Sequence, residues 1–218
     1  MKFICRFSAL ALTIAGTLSG APPVDEAKPY ALAGVTVIHP AKNEEALLGE
    51  AAPPQGGELL AVHLDACVEG EVVVVALHKK TGQLAHGWRP AQAVLKSWDE
   101  LGLPSRGEKW VWPQTAEPFE VFVVFFARGD PAAAAVRPLV AQLRDPATDA
   151  ARLPGLARAL REAIQKWQAR DPTLAAAPRS APVAISGTVR TAGEFPWRER
   201  AVKANFSAGQ PAVLVFRP

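Results

Sequence analysis

Two short, uninterrupted apolar runs constrain the fold of this chain more than any other feature of its sequence. They are Val72–Val75 and Val121–Phe126, and both consist of β-branched or aromatic residues. Runs of this length suit strands better than helices, and a strand that is apolar at every position is buried on both faces. The chain therefore needs a β-sheet that is covered on each side.

Further β-rich segments next to the first run predict antiparallel pairing. Leu59–Val68, Glu71–Lys79 and Gln83–Trp88 are separated by Glu69–Gly70 and Thr81–Gly82. Glycine supplies the positive φ angle that a tight turn between strands needs. We expect these three segments to form an antiparallel meander, with the valine-rich strand at its centre.

Other segments are predicted as strands or as connections with little regular structure. Residues 40–57 and 89–108 contain proline and glycine and are predicted loops, with helical turns near Glu44–Leu48 and Ala91–Leu95. The remaining predicted strands are Leu32–His39, Lys109–Trp112, Phe119–Ala127, Val183–Arg190, Arg198–Phe206 and Ala212–Phe216. Strands therefore lie both before and after the two apolar runs.

The hydrophobic period changes from that of a strand to that of a helix after residue 130. Asp130–Pro131 is a helix-start pair, because the Asp side chain can cap the first turn and proline loses no hydrogen bond there. Leu153–Arg170 carries one apolar stripe, which predicts an amphipathic helix. In the helix predicted to start near Asp130–Pro131, Pro138 either causes a kink or marks the first turn. The predicted fold is mainly β with α: an antiparallel two-layer β-sandwich with an inserted helical segment at about 131–170.

Residues 1–21 have the three parts of a secretory signal peptide. Lys2 and Arg6 give a basic start, residues 7–18 are mostly apolar, and small residues end the segment. A buried N-terminal helix is the alternative, but such a helix needs neither the basic start nor the small residues. We therefore expect an exported protein, periplasmic or extracellular, in which residues 22–218 form one domain without a transmembrane segment.

The charge balance argues against nucleic acid as a partner. The chain has 24 Lys and Arg residues against 21 Asp and Glu residues. Loss of Lys2 and Arg6 with the predicted signal leaves an excess of one positive charge, whereas nucleic-acid binding needs clustered excess cation. Cys67 is then the one remaining cysteine, so we expect no internal disulfide and favour a buried, unreactive thiol.

His63, Asp65 and Cys67 form the sequence cluster that invites a catalytic interpretation. Alternate residues of a strand share a face, but positions two apart are separated by roughly 6.6 Å, too far for a nucleophile and its base. A partner from another strand, such as His78 or His86, would be required, which leaves a thiol- or histidine-dependent enzyme as an alternative. The scattered histidines lack the spacing of a metal site, and we expect no metal or other cofactor.

Tryptophan is the remaining functional signal, with six residues against a single tyrosine. Trp110 and Trp112 share a face of their predicted strand, and Trp88 and Trp197 each precede an arginine. If they are exposed, these four rings can stack on sugars or anchor a partner, and they are the candidate ligand-binding residues. Burial in the core is the favoured alternative, because large aromatic side chains are buried more often than displayed.

Four short motifs between Leu59 and Pro131 carry a resemblance to a known family. They are the valine run Val72–Leu77, the turn Thr81–Gly82, the step Trp88–Arg89–Pro90, and Pro118–Phe119–Glu120 before an apolar strand. This stretch resembles a bacterial β-sandwich domain of unknown function that is often appended to caspase-like peptidases and protein kinases. The resemblance implies an accessory domain and brings no catalytic residue with it.

Taken together, the sequence predicts an exported, non-catalytic binding or structural accessory domain. Its expected partner is a protein or a component of the cell envelope. An envelope- or glycan-binding module that uses exposed tryptophans is one alternative, and the thiol- or histidine-dependent enzyme is the other.

Overall fold

The computed structural model describes residues 29–39, 44–48, 55–85, 88–105, 108–112, 118–170, 197 and 201–217. These residues contain ten strands and two helices. The strands are β1 (Tyr30–His39), β2 (Glu44–Leu47), β3 (Leu59–Ala66), β4 (Gly70–His78), β5 (Ala91–Leu95), β6 (Leu101–Leu103), β7 (Trp110–Val111), β8 (Phe119–Ala127), β9 (Val202–Asn205) and β10 (Ala212–Phe216). The helices are α1 (Pro131–Arg144) and α2 (Leu153–Arg170).

The strands form two antiparallel sheets that pack together. The first sheet has the order β2-β1-β3-β6, with β9 paired to β1 and β7 paired to β3. The second sheet has the order β10-β8-β4-β5. Helices α1 and α2 pack on the face of the second sheet that points away from the first. The predicted antiparallel β-sandwich with a helical segment is confirmed.

The second sheet is buried on both faces, which explains the two apolar runs of the sequence. Val72 and Val74 of β4 belong to the core between the sheets, together with Phe125 of β8. Val73 and Phe122 point the other way and pack against the two helices. Because β4 and β8 lie inside this sheet, both of their faces need apolar side chains at every position.

The helices begin where their sequence signals predict. Asp130 precedes α1, and its side chain accepts a hydrogen bond of 2.8 Å from the backbone N–H of Ala132. Pro131 occupies the first turn, where its missing N–H costs nothing. Pro138 lies inside α1, which continues past it to Arg144. The second helix has the predicted bounds, and its buried residues include Leu160.

The predicted meander is wrong, because β3 and β4 belong to different sheets. Strand β3 pairs with β1, β6 and β7, whereas β4 pairs with β8 and β5. The chain at Glu69–Gly70 therefore crosses from one sheet to the other. Gly70 is required there for a reason other than a positive φ angle. A Cβ atom at this position would collide with the backbone oxygen of Phe126 and the ring of Phe125.

Several local predictions also need correction. Within the predicted strand Gln83–Trp88, the described residues 83–85 and Trp88 belong to no strand, and their one ladder contact is the bridge between Leu77 and Leu84. The two predicted helical turns are strands instead, β2 and β5, because pairing with β1 and β4 overrides their weak local preference. The strands predicted at 109–112 and 198–206 are shorter, as β7 and β9.

Some predictions fall outside the described residues. These are the signal peptide at 1–21, the strand Val183–Arg190 and the position of His86. Among the helices that are described, neither combines the length and the apolar character that crossing a membrane requires.

Candidate functional site

The outer face of the first sheet carries His63 and Asp65, two of the polar residues considered as catalytic candidates from the sequence. In β3, alternate residues from Leu60 to Ala66 are buried against the second sheet. His63 and Asp65 point the opposite way and are partly exposed, so they share one face as predicted. No described helix packs on this side of the molecule, which makes it the natural place to look for a site.

Four residues form a compact group on this face, which we call the His63 cluster: Thr36, His63, Glu100 and Trp197. Nε2 of His63 lies 3.2 Å from Oγ1 of Thr36, and its Nδ1 lies 3.7 Å from Oε1 of Glu100. The indole of Trp197 stacks on the imidazole, with ring centroids 5.6 Å apart and planes inclined by 23°. Trp197 also donates a hydrogen bond of 2.7 Å from Nε1 to the same Glu100 oxygen.

The order hydroxyl, imidazole, carboxylate in the His63 cluster is that of a hydrolase triad, but its geometry does not suit catalysis. Thr36 is 0% exposed, so a substrate cannot reach its hydroxyl. The 3.7 Å separation between His63 and Glu100 is longer than a hydrogen bond, and the Glu100 oxygen instead accepts from Trp197. The cluster is therefore built to hold Trp197 against the sheet.

Cys67 lies beyond the end of β3 and is tied to the start of β1. Its Sγ accepts a hydrogen bond of 3.2 Å from the backbone N–H of Tyr30, and its own N–H donates to the Tyr30 carbonyl at 3.2 Å. Cys67 is half-buried and packs against the core between the sheets, so it is less buried than predicted. None of the hydrogen bonds and ion pairs found in the described part of the chain joins Cys67 to an imidazole.

The other two histidines that the structure describes lie in different sheets. His39, at the end of β1, places Nδ1 2.5 Å from Oε1 of Glu58. His78 ends β4 in the second sheet, opposite Phe119 of β8. Within the residues that the structure describes, no three His, Cys, Asp or Glu side chains are grouped so that they could hold a metal ion.

The four tryptophans proposed as ligand-binding residues are all buried. Trp88 stacks on Trp110 with ring centroids 5.3 Å apart, and its Nε1 donates to the Val111 carbonyl at 2.9 Å. Trp112 packs on Phe119, and Trp197 covers part of the first sheet in the His63 cluster. The favoured alternative, burial of these rings, is confirmed. Their candidate role in ligand binding required exposed rings, which the structure does not show at these four positions.

The exposed tryptophan is Trp98, which is not among the four candidates predicted from the sequence. It is 63% exposed, whereas the other five tryptophans of the chain are buried. Its backbone has a φ angle of +63°, a conformation that costs a residue with a Cβ atom roughly 1–2 kcal/mol. A hydrogen bond of 2.9 Å from the Trp98 N–H to the Ala66 carbonyl fixes the turn against the end of β3. Its exposure could have been predicted from its neighbours in the sequence, because the polar pairs Lys96–Ser97 and Asp99–Glu100 lie on either side of Trp98.

Trp98 is part of a small surface that we call the aromatic platform, formed by Tyr30, Trp98 and Lys203. The Tyr30 and Trp98 rings meet edge to face, with centroids 6.3 Å apart and planes inclined by 78°. Nζ of Lys203, from β9, lies 4.1 Å from the centroid of the Tyr30 ring. Ser97 anchors the turn beside it by donating a 2.8 Å hydrogen bond to the Cys67 carbonyl.

Comparisons with known proteins give no relative of this chain. No protein-family model matches it, and neither a curated protein nor a solved structure does. The resemblance of residues 59–131 to the caspase- and kinase-associated domain therefore stays a prediction.

Proposed function

We propose that this protein is an exported, non-catalytic binding domain that contacts a component of the cell envelope through the aromatic platform. The exposure of Trp98 carries this proposal. A tryptophan ring left in water is unfavourable, and a strained φ angle at the same residue adds to that cost. A role of the exposed ring in binding a partner explains why both costs are tolerated.

Glycan is the partner chemistry that the platform suits best. The Trp98 ring offers a flat apolar surface, and Lys203 and Asn205 of the adjacent β9 place polar side chains on the same face of the sheet as Tyr30. A sugar ring has apolar C–H faces and polar hydroxyl edges, so it matches such a surface. The inaccessible hydroxyl of Thr36 supports a binding role for this face over a hydrolytic one.

Titration of the isotope-labelled protein with soluble cell-wall glycan fragments tests the proposal. The chain has six tryptophans, so six indole N–H signals are expected, and the Trp98 signal should move while the signals of the buried rings stay. Trp98→Gly should abolish binding, because it removes the ring and keeps the backbone conformation. Val94→Ala is the matched control, since Val94 is an exposed apolar residue of the second sheet.

Different outcomes test the binding role, the glycan specificity and the location of the site separately. Loss of glycan binding in Trp98→Gly alone supports it. Binding to an envelope protein, but to no glycan, that depends on Trp98 would keep the binding role and reject the glycan. If Trp98→Gly and Val94→Ala bind every envelope fraction as the wild type does, the proposed site is wrong.

Export rests on residues 1–21 and has its own test. The protein should be recovered from the periplasm or the medium in a form that lacks the basic start and the apolar run. Mass spectrometry of the intact protein should place its first residue between Ser19 and Pro22. Recovery of the full-length chain from the cytoplasm would reject the export proposal without affecting the binding site.

A further inference from the structure

Several basic side chains come together at the end of the molecule at which β4 ends, on the side that the helices cover. Arg161 of α2 donates a hydrogen bond of 2.6 Å from Nη2 to the carbonyl of Lys79, the first residue after β4. Arg89, two residues before β5, donates one of 3.1 Å from Nη1 to the carbonyl of Arg144, the last residue of α1. Because β5 is antiparallel to β4, the start of β5 and the end of β4 lie at the same end of the sheet. We call this surface the basic end, and it comprises Lys79, Lys80, Arg89, Arg144, Arg152, Arg158 and Arg161.

The arginines of the basic end donate to neutral acceptors. Besides the two carbonyl contacts, Arg152 donates a hydrogen bond of 2.9 Å from Nη2 to the amide oxygen of Gln142. By contrast, Arg128, Arg137 and Arg217 each pair with a glutamate. None of the ion pairs between described residues involves a member of the basic end. Since a carbonyl or amide oxygen carries no net charge, these cations are held in place without being neutralised.

The acidic side chains nearest to the basic end are too few to balance it. Asp145 and Asp149 lie between the helices, and each accepts a hydrogen bond from a backbone N–H of that connection. Glu162 is exposed on α2, and Glu120, beside the end of β4, is already paired with Arg217. Among the described residues, seven cations therefore stand against three carboxylates that have no ion pair.

The character of this surface indicates the kind of partner that it fits. The exposed large apolar residues of the described chain are Val94, Trp98 and Val111, and none of them belongs to the basic end. A protein interface normally has an apolar centre that is depleted of charge, and this surface has the opposite composition. The headgroups of a fluid bilayer can move to meet scattered cations, so they need no matching shape. Each basic residue close to an anionic bilayer raises partitioning about fivefold.

We propose that the basic end binds the anionic surface of a phospholipid bilayer, through attraction between its ammonium and guanidinium groups and the lipid phosphates. Binding in this way orients the molecule. The aromatic platform lies at the opposite end, because the Trp98 N–H bonds to Ala66 at the end of β3, close to the start of β4. The nine residues of β4 separate the two ends by roughly 26 Å. The platform would therefore point away from the bilayer, although the proposal does not depend on what the platform binds.

Sedimentation of the protein with lipid vesicles tests the proposal. Two kinds of vesicle are needed: phosphatidylcholine alone, and equal parts of phosphatidylcholine and phosphatidylglycerol. We expect binding to the mixed, anionic vesicles and not to the neutral ones. Bound protein should be released in about 1 M NaCl, at which the Debye length is only about 3 Å.

A pair of double variants locates the binding surface. Lys80→Gln with Arg158→Gln removes two charges from the basic end, and both side chains are exposed, so the fold should be kept. Partitioning into anionic vesicles should fall about twentyfold. Lys96→Gln with Arg128→Gln removes the same charge at the opposite end and should leave partitioning nearly unchanged. All variants share the same N-terminal sequence, so any contribution of residues 1–21 cancels in the comparison.

Four results would overturn the proposal: equal binding to neutral vesicles, binding that resists salt, equal losses in the two double variants, or binding of soluble polyaspartate as tight as binding to vesicles. The last result would indicate a soluble acidic partner in place of a bilayer. The comparisons of lipid and salt use the unaltered protein, so they decide the matter even if a substitution affects folding.

Discussion

The imidazole of His63 stacks on the indole of Trp197, and a single Glu100 oxygen accepts a hydrogen bond from the indole and lies 3.7 Å from the imidazole. The contact joins β3 to a residue far along the chain and covers part of the outer face of the first sheet. Leu32 and Ala201 are buried in the same small cluster, so Trp197 also contributes apolar packing.

Trp197→Ala should therefore destabilise the fold strongly. Loss of a buried tryptophan typically costs about 3–5 kcal/mol, and we expect a value near the lower end because the cluster is small. Trp98→Ala is the matched substitution at the exposed position and should cost well under that amount. Urea unfolding of both variants checks the prediction, and equal losses of stability would contradict it.

Gly70→Ala should also lower the free energy of unfolding. The added methyl group would meet the backbone oxygen of Phe126, which cannot move without disturbing the β4–β8 ladder, and overpacking of this kind costs typically 1–3 kcal/mol. Gly102→Ala is the control, because a Cβ atom on Gly102 has no neighbour within 4 Å. Thermal unfolding should separate the two variants. Similar unfolding midpoints for the two variants would show that the surroundings of Gly70 can accommodate the added methyl group.

Trp98→Gly is expected to raise stability, although it should remove binding. Glycine adopts the φ angle of +63° without steric cost, and relief of this strain is worth roughly 1 kcal/mol. The lost contact with Tyr30 is at the surface and offsets part of this gain. Chemical denaturation measures the net change. A clearly less stable Trp98→Gly variant would mean that the ring serves the fold instead of a partner.

The ion pair between Glu71 and Arg137 predicts a pH dependence of stability. The hydrogen bond from Arg137 lowers the pKa of Glu71 below its ordinary value of 4.5, with charge attraction acting in the same direction and burial opposing both. A lowered pKa in the folded state stabilises the protein above the ordinary value, and this contribution is lost as pH falls through the lowered pKa.

Arg137→Gln removes this pairing between α1 and β4. At neutral pH its urea midpoint should lie below that of the wild type, and the gap should close at acidic pH, once Glu71 is protonated in both proteins. Arg144→Gln, at the end of the same helix, is the control for the loss of a charge. A gap that stays constant across this pH range would contradict the assigned pairing.

Sequence patterns predicted the elements whose stability depends on local apolar spacing. Strand β8 and helix α2 were predicted with both ends correct, because each carries its own unbroken run or stripe. The position of α1 followed from Asp130 and Pro131 in the same way.

Pairing between distant strands could not be predicted in this way. Gly70 next to two apolar strands fits a hairpin turn as well as a crossing between sheets, and the choice depends on the close approach of Phe126. The sequence also did not predict which tryptophan side chains are exposed to solvent. Trp112 is packed on Phe119, whereas Trp98 extends into solvent.

Because the molecule is layered, the residues that maintain its packing and the residues that can be changed at its surface lie in different parts of it. The second sheet has apolar neighbours above and below, so almost any replacement in β4 or β8 must be matched by another in a facing layer. On the outer face of the first sheet, Lys203 is partly exposed, whereas Leu32 and Thr36 are buried on the same side as Trp197. An engineer could therefore redraw the part of that face around Lys203 one residue at a time, and use the rest of the molecule as an unchanged support.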